Sequence, residues 1–349
     1  MSSLLTDEEL LKKVKLHYDD ERLLDAARLL RQIKDKSLLT EFHNKLLTNA
    51  SVVEEAVADL LSEPDEHWIK QGETSGTYPT SIYYKLEDGA RMHCRLETPL
   101  PSSLLVPLLS VLNESELYRT WIPSWTYPVQ MGVRESKQLL NDTRGHQIIQ
   151  VHCDVPWPMY PREALFDVIA VDDIENSGTI IAKMQSLTEE SQDILLSDDF
   201  VVPPPDPSMD RMEFDGAVLF RPCPTNHPNF ANASEKFTED LVLLQFLVFF
   251  DAHMMVPQSV INFVTRTAIG MVWNMLLRVA EQVRDGTRIE HKEVIEQKAE
   301  FYKWMEDRCR FMLQKMRNKE KGDDLEEEGD LEKEDYEGWT MKDVIRLST

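Results

Sequence analysis

The hydrophobic pattern changes period along the chain. From Leu4 to about Leu61, apolar residues such as Leu10, Val14, Leu23, Leu24, Ala27, Leu30, Leu46, Val53, Ala56 and Leu60 recur at helical spacing, with charged residues between them. Thr6 followed by Glu9 fits a capping box, and SEPDEHW ends the unit, so residues 1–63 read as a helical extension or oligomerisation element. From Trp68 the period becomes two. Ile82, Tyr84 and Leu86 alternate with Ser81, Tyr83 and Lys85, the turn Glu87, Asp88, Gly89 follows, and Met92, Cys94 and Leu96 alternate with Arg91, His93 and Arg95. That is a hairpin. Pro99 and Pro101 end it, and Ser102 caps a helix through Leu104, Leu105, Leu108, Leu109 and Leu112; ESELYRTWIPSW is a second, shorter helix.

After Asn141 strands return at Gln147 to Cys153, Ala164 to Asp172, Thr179 to Leu187, Met212 to Arg221 and Leu241 to Phe250. Pro257 starts a long helix to about Arg284, stopped by Asp285 and Gly286. A charged helix over 287–318 follows, then an acidic tail, 319–349, too like-charged to pack and closed by a short terminal helix. The expected fold is α+β: a curved, mainly antiparallel sheet of about seven strands gripping one long helix over residues 64–286, with helices added at both ends.

Composition narrows the function classes. Sixty-two acidic against 38 basic side chains leave a formal charge of -24, which opposes nucleic acid and anionic membrane surfaces. The N-terminus lacks the basic start and apolar run of a secretory signal, and no uncharged stretch is long enough to span a bilayer. The expectation is a cytoplasmic protein, peripheral on organelle membranes at most. Cys94, Cys153, Cys223 and Cys309 are far apart and show no metal-type pairing, so reduced thiols are expected.

Several local motifs fall in a telling order: YYKLEDGARMHCRLE, ELYRTWIPSW, the aromatic turn VPWPMYPRE around Trp157 that leads through Arg162 into a strand, FDGAVLFRPCP, and the final helix PQSVINFVTRTAIGMVWNMLLRV. In these the segment from Glu66 to Gly286 resembles the START lipid-transfer domain, a helix-grip fold. The loop after Leu187, with its PPPDP run, departs from the compact pattern. The resemblance implies an apolar tunnel under a helical lid holding one lipid, a sterol, phospholipid or ceramide, with transient membrane contact and no cofactor.

Strand parity suggests which residues would line such a tunnel. Taking Lys183 and Gln185 as outward places Ile180, Ala182 and Met184 inward; Glu213, Asp215 and Arg221 outward places Phe214, Val218 and Phe220 inward; Asp167 outward places Phe166, Val168 and Ala170 inward. Met92 and Cys94 join them from the hairpin, and the lid stripe contributes Val264, Ala268, Met271 and Met275. Small residues such as Ala170 and Ala182 leave room where a packed core uses Leu or Ile. His152, with Arg95 and Gln245, is a candidate to orient a polar head, and Trp121, Trp125 and Phe230 are candidates for touching a membrane.

Catalysis is not expected. The chain has no GxSxG, HExxH, P-loop, GxGxxG or CxxC, and each neighbouring His and Cys pair, His93 with Cys94 and His152 with Cys153, points to opposite faces of a strand. The alternatives are an interaction scaffold that engages a protein partner through its terminal helices, or a helix-grip enzyme acting on an apolar substrate.

Overall fold

The computed structural model describes residues 5–74, 77–87, 91–126, 130–155, 160–188, 191, 200–251 and 267–321. Three helices come first: α1 (Asp7–Asp19), α2 (Leu23–Gln32) and α3 (Glu41–Leu61). The Thr6 hydroxyl accepts from the Glu9 amide while the Glu9 carboxylate accepts from the Thr6 amide, so the capping box forms as the sequence requires. Strands β1 (Ile69–Thr74), β2 (Thr80–Glu87) and β3 (Arg91–Pro101) precede α4 (Leu105–Asn113) and α5 (Tyr118–Trp121). Then come β4 (Gly132–Asn141), β5 (His146–Asp154), β6 (Arg162–Asp173), β7 (Thr179–Ser186), β8 (Asp210–Arg211) and β9 (Glu213–Pro222). The chain continues through α6 (Phe230–Lys236), β10 (Leu241–Asp251), α7 (Ile269–Arg284), α8 (Ile289–Gln297) and α9 (Ala299–Lys321).

Ten strands form one curved sheet in the order β1-β2-β3-β10-β9-β7-β6-β5-β4, antiparallel throughout, with two-residue β8 lying parallel on β6. The fold is α+β, a sheet gripping helices. The sequence pattern suggests about seven strands. It hides β1 and β4 because both are polar edge strands whose register slips: β1 between Lys70 and Gly72, β4 between Val133 and Glu135 and again between Gln138 and Leu140. Each slip breaks strict alternation.

The outer face of the sheet carries α1 to α3. Leu24, Leu30, Leu46, Val53 and Leu60 pack on Ile169, Val171, Ile181, Ala217 and Leu219. The α3 C-terminus is held by buried Arg95, which donates to the carbonyls of Asp59 at 3.1 Å and Leu60 at 2.8 Å; Gln245 donates to the same Leu60 carbonyl at 2.9 Å. A cation there satisfies carbonyls that have no partner within the helix and meets the negative end of its dipole. Glu97 completes the cluster. Burial opposes its charge, but hydrogen bonds from His227, Arg95 and Gln245 outweigh burial and hold it down at about 2.

The inner face carries α4, α7 and α9. Trp273, Leu277 and Ala280 of α7 pack in the same core as Leu96, Val218, Phe220 and Leu244, and the Trp273 indole donates to Thr98 Oγ1 at 2.9 Å. The helix over 287–318, which the charge pattern sets apart from the 64–286 unit, enters this core: Tyr302, Met305, Cys309, Met312 and Met316 of α9 are buried along one stripe. Arg308 fixes the helix, donating to both carboxylate oxygens of Asp172 at 2.7 and 2.9 Å and also to Glu175. The acidic tail expected over 319–349 falls, beyond Lys321, outside the described residues.

Candidate functional site

Between the inner face and its helices lies a cavity of about 200 Å³. Its floor is Val168 and Ala170 of β6, Ile180 and Ala182 of β7, and Phe220 of β9. Its roof is Leu109 and Leu112 of α4 with Phe301, Trp304, Met305 and Cys309 of α9. Gln147 and Asn113 supply uncharged polar surface, and Asp20, Glu21, Arg22, Arg144, Asp172 and Arg308 also line it. Floor residues on central strands would normally be sealed. Here Ala170 is exposed and Ile180 and Ala182 are half-buried, because short side chains leave the space beside them open.

Three elements meet around the charged part of the lining. The turn between α1 and α2 contributes Glu21, whose φ of 61° places an ordinary residue in the left-handed region. The turn between β4 and β5 contributes Arg144, whose guanidinium carbon sits 4.5 Å from the Trp304 ring centroid and whose Nε lies 3.4 Å from Glu21 Oε2. Gly145 follows; a Cβ there would stand 2.5 Å from the Ala170 carbonyl oxygen, so only glycine permits this approach. Burial pushes the Glu21 carboxyl above its ordinary range despite Arg144, and burial pushes the Cys309 thiol up to about 12, leaving it protonated. Among the described residues no group of three or more His, Cys, Asp or Glu side chains could hold a metal ion, and no helix is long and apolar enough to cross a membrane.

The register places eleven of the expected residues on the inner face. Met92, Cys94, Phe166, Val168, Ala170, Ile180, Ala182, Met184, Phe214, Val218 and Phe220 all share it. Only Val168, Ala170, Ile180, Ala182 and Phe220 line the cavity. Met92, Cys94 and Val218 are in the core with α7, and Phe166 stacks on Phe214 at 5.4 Å towards the other end of the strands.

Other expectations are corrected. His152 lies on the outer face, opposite Glu163 in the register and 3.5 Å from Glu135, because β5 turns Gln147, Ile149 and Val151 inward and the even-numbered residues outward. Arg95 and Gln245 also face outward, beneath α3. On the lid, Met271 is 43% exposed, while Ala268 and Met275 pack away from the cavity; Val264 lies outside the described residues. Of the described residues of this stripe only Met271 points to solvent; Ala268 is buried and Met275 packs in the core with Leu276 and Val279, because α9 rather than α7 stands over the open part of the sheet. Trp273, Leu276, Leu277, Val279 and Ala280 are the buried residues of α7. Of the interface candidates, Trp121 is buried, and Trp125 and Phe230 are half-buried. Trp157 and the prolines flanking it lie outside the described residues.

Neither Gln147 nor the α9 residues that line the cavity are marked by the hydrophobic pattern. The spacing of Tyr302, Met305, Cys309, Met312 and Met316 carries the α9 signal, masked by the charges between them.

No family model matches the chain, and no curated protein matches it. Among solved structures, human StAR-related lipid transfer protein 5 is similar, with a TM-score of 0.49 and 13% identity over 69% of this chain and 98% of its own. A STAR-related lipid transfer protein fragment from Xanthomonas axonopodis gives 0.43 and 16%, over 61% of this chain and 99% of its own. The Zhui aromatase/cyclase from a Streptomyces species gives 0.30 and 12%, over 55% and 94%. At these identities and TM-scores, nothing about ligand or activity passes to this chain, and its fold rests on its own strand order and packing.

Proposed function

We propose that the protein binds a single lipid-like molecule in the cavity between the sheet and helices α4 and α9, and carries or senses it between membranes. One observation supports this above the rest: Ala170 and Ala182 stand at the centre of the inner face, where a solid core would place larger side chains, and an apolar space opens over them. The sequence motifs that resemble a lipid-transfer domain agree with it.

Burial of apolar surface drives such binding. A ligand hiding about 200 Å² gains about 5 kcal/mol at about 25 cal/mol per Å², a millimolar to sub-millimolar affinity before ordering costs. Release then needs only a modest opening of the lining. No step calls for a nucleophile or a general base.

The test is native mass spectrometry of the protein purified from eukaryotic cells, with Ala182→Leu beside it. A bound small molecule on the parent that disappears in the variant supports the reading. Bare protein in both, with added hydrophobic ligands binding the two equally, rejects it.

A further inference from the structure

The polar contacts of the cavity specify more than an apolar occupant. Gln147 and Asn113 are its uncharged polar lining, on β5 and at the end of α4. The Gln147 carbonyl oxygen is well used, accepting from Gln138 Nε2 at 2.8 Å and Ser115 Oγ at 3.3 Å. Its amide nitrogen is not. It reaches Asn113 at 3.3 Å (backbone oxygen) and 3.4 Å (Oδ1), two long contacts to one residue from a group that carries two hydrogens. Behind it, Asn113 donates to Glu114 at 3.0 Å, and Glu114 is held by Lys298 at 2.8 Å and by the Tyr302 hydroxyl. The wall is braced from α4, from α9 and from Lys298 between α8 and α9, while the Gln147 amide meets it only through long contacts that a better-placed acceptor can replace.

The charged lining offers nothing comparable to an anion. Three acids, Asp20, Glu21 and Asp172, balance three arginines, Arg22, Arg144 and Arg308. Each arginine is already engaged: Arg22 with Asp25 at 2.8 Å, Arg144 with Glu21, and Arg308 with Asp172 and Glu175. Size sets a further limit. Pockets that take drug-sized ligands measure roughly 300–1,000 Å³, and a cavity of about 150 Å³ holds a benzene ring.

We infer that the cavity selects a small neutral molecule, about one ring or one short chain in size, whose single oxygen acceptor takes a hydrogen bond from the Gln147 amide. A two-chain phospholipid or ceramide and an intact sterol exceed this space, and a free carboxylate or phosphate finds no unpaired cation in it. The inference rests on the cavity being the ligand site.

Isothermal titration with three probes of equal heavy-atom number tests it: acetophenone, isopropylbenzene and benzoate. Acetophenone should bind about five-fold tighter than isopropylbenzene, the gain of one net hydrogen bond, and benzoate should bind weakest. In Gln147→Met the ratio falls to about one with isopropylbenzene affinity unchanged. Gln147→Glu keeps the shape and removes the donor, so it also loses the preference; far-ultraviolet circular dichroism and thermal melts confirm that both variants fold. Equal binding of acetophenone and isopropylbenzene by the parent, a preference that survives both substitutions, or benzoate binding tightest overturns the inference and leaves the cavity reading intact. If no probe binds and Ala182→Leu changes nothing, the cavity reading itself fails.

Discussion

The two faces of the sheet are built from the same strands and differ at every step. On β6, Ile169 and Val171 face outward and Ala170, between them, faces the cavity; on β7, Ile181 faces outward and Ile180 and Ala182 inward. On β5, His146 faces outward in a buried ion pair, while Gln147 faces inward beside open space. The outer face is filled by large apolar side chains under α1 to α3 and by buried ion pairs, as a core that confers stability must be. The inner face gives up side-chain volume at its centre while its flanks stay packed, so the two roles are divided by residue parity rather than by domain.

That division is best tested by substituting neighbours. The largest effect is expected at His146, which lies 2.6 Å from Asp142 and 2.7 Å from Asp167. His146→Leu leaves the buried Asp167 without its partner and should cost about 3–5 kcal/mol in urea denaturation. Burial disfavours the imidazolium, but the hydrogen bonds to Asp142 and Asp167 outweigh it and raise its pKa to about 10. Because that value lies above the ordinary 6.5, the stabilisation is complete below about pH 6.5 and is lost as pH rises towards 10, a slope that His146→Leu should abolish. A stability profile flat through this window would show that the pair does not hold the outer face.

Next in size is the step from residue 181 to 182. Ile181→Ala should cost about 2–5 kcal/mol, the penalty of a cavity in a packed core. Ala182→Leu should change stability by less than about 1 kcal/mol, since it fills space already open. Equal costs at the two sites would erase the contrast between the faces. The smallest effect belongs to Arg144→Ala. Its pair with Glu21 is partly exposed, so stability should move by no more than about 1 kcal/mol, while the off-rate of a bound probe rises if the Arg144–Trp304 contact helps close the cavity. Stopped-flow displacement reads that rate, and an unchanged rate would show that the Arg144–Trp304 contact does not close the cavity.

Strand parity was legible because charged residues mark one face. Lys183, Asp167 and Asp215 gave the correct side for every inward residue on β6, β7 and β9. They did not give exposure: Asp167 is 2% exposed and Lys183 7%, because outward here means toward partners such as His146 and Asp215 as well as toward water. His152 was misplaced for a related reason, since a lone strand histidine carries no mark of its face and its carboxylate neighbours come from other strands. The lid period found the core-facing side of α7 at Ala268 and Met275 but not at Met271, and periodicity carries no sign that this side meets packed core rather than open space. The cavity roof escaped notice because it comes from α9, where charged residues separate the apolar ones and the partners lie more than a hundred residues away. Long-range assembly of this kind leaves only half its pattern in any one segment.

Because Phe301, Trp304, Met305 and Cys309 belong to the last described helix, the compartment cannot exist on a nascent chain until that helix has emerged and docked through Arg308. A hydrophobic molecule met during synthesis would find an unroofed palm rather than a chamber. Enclosure of any occupant of the proposed site therefore waits for α9 to dock, and a chain cut before Ala299 would keep its strands yet lack this roof.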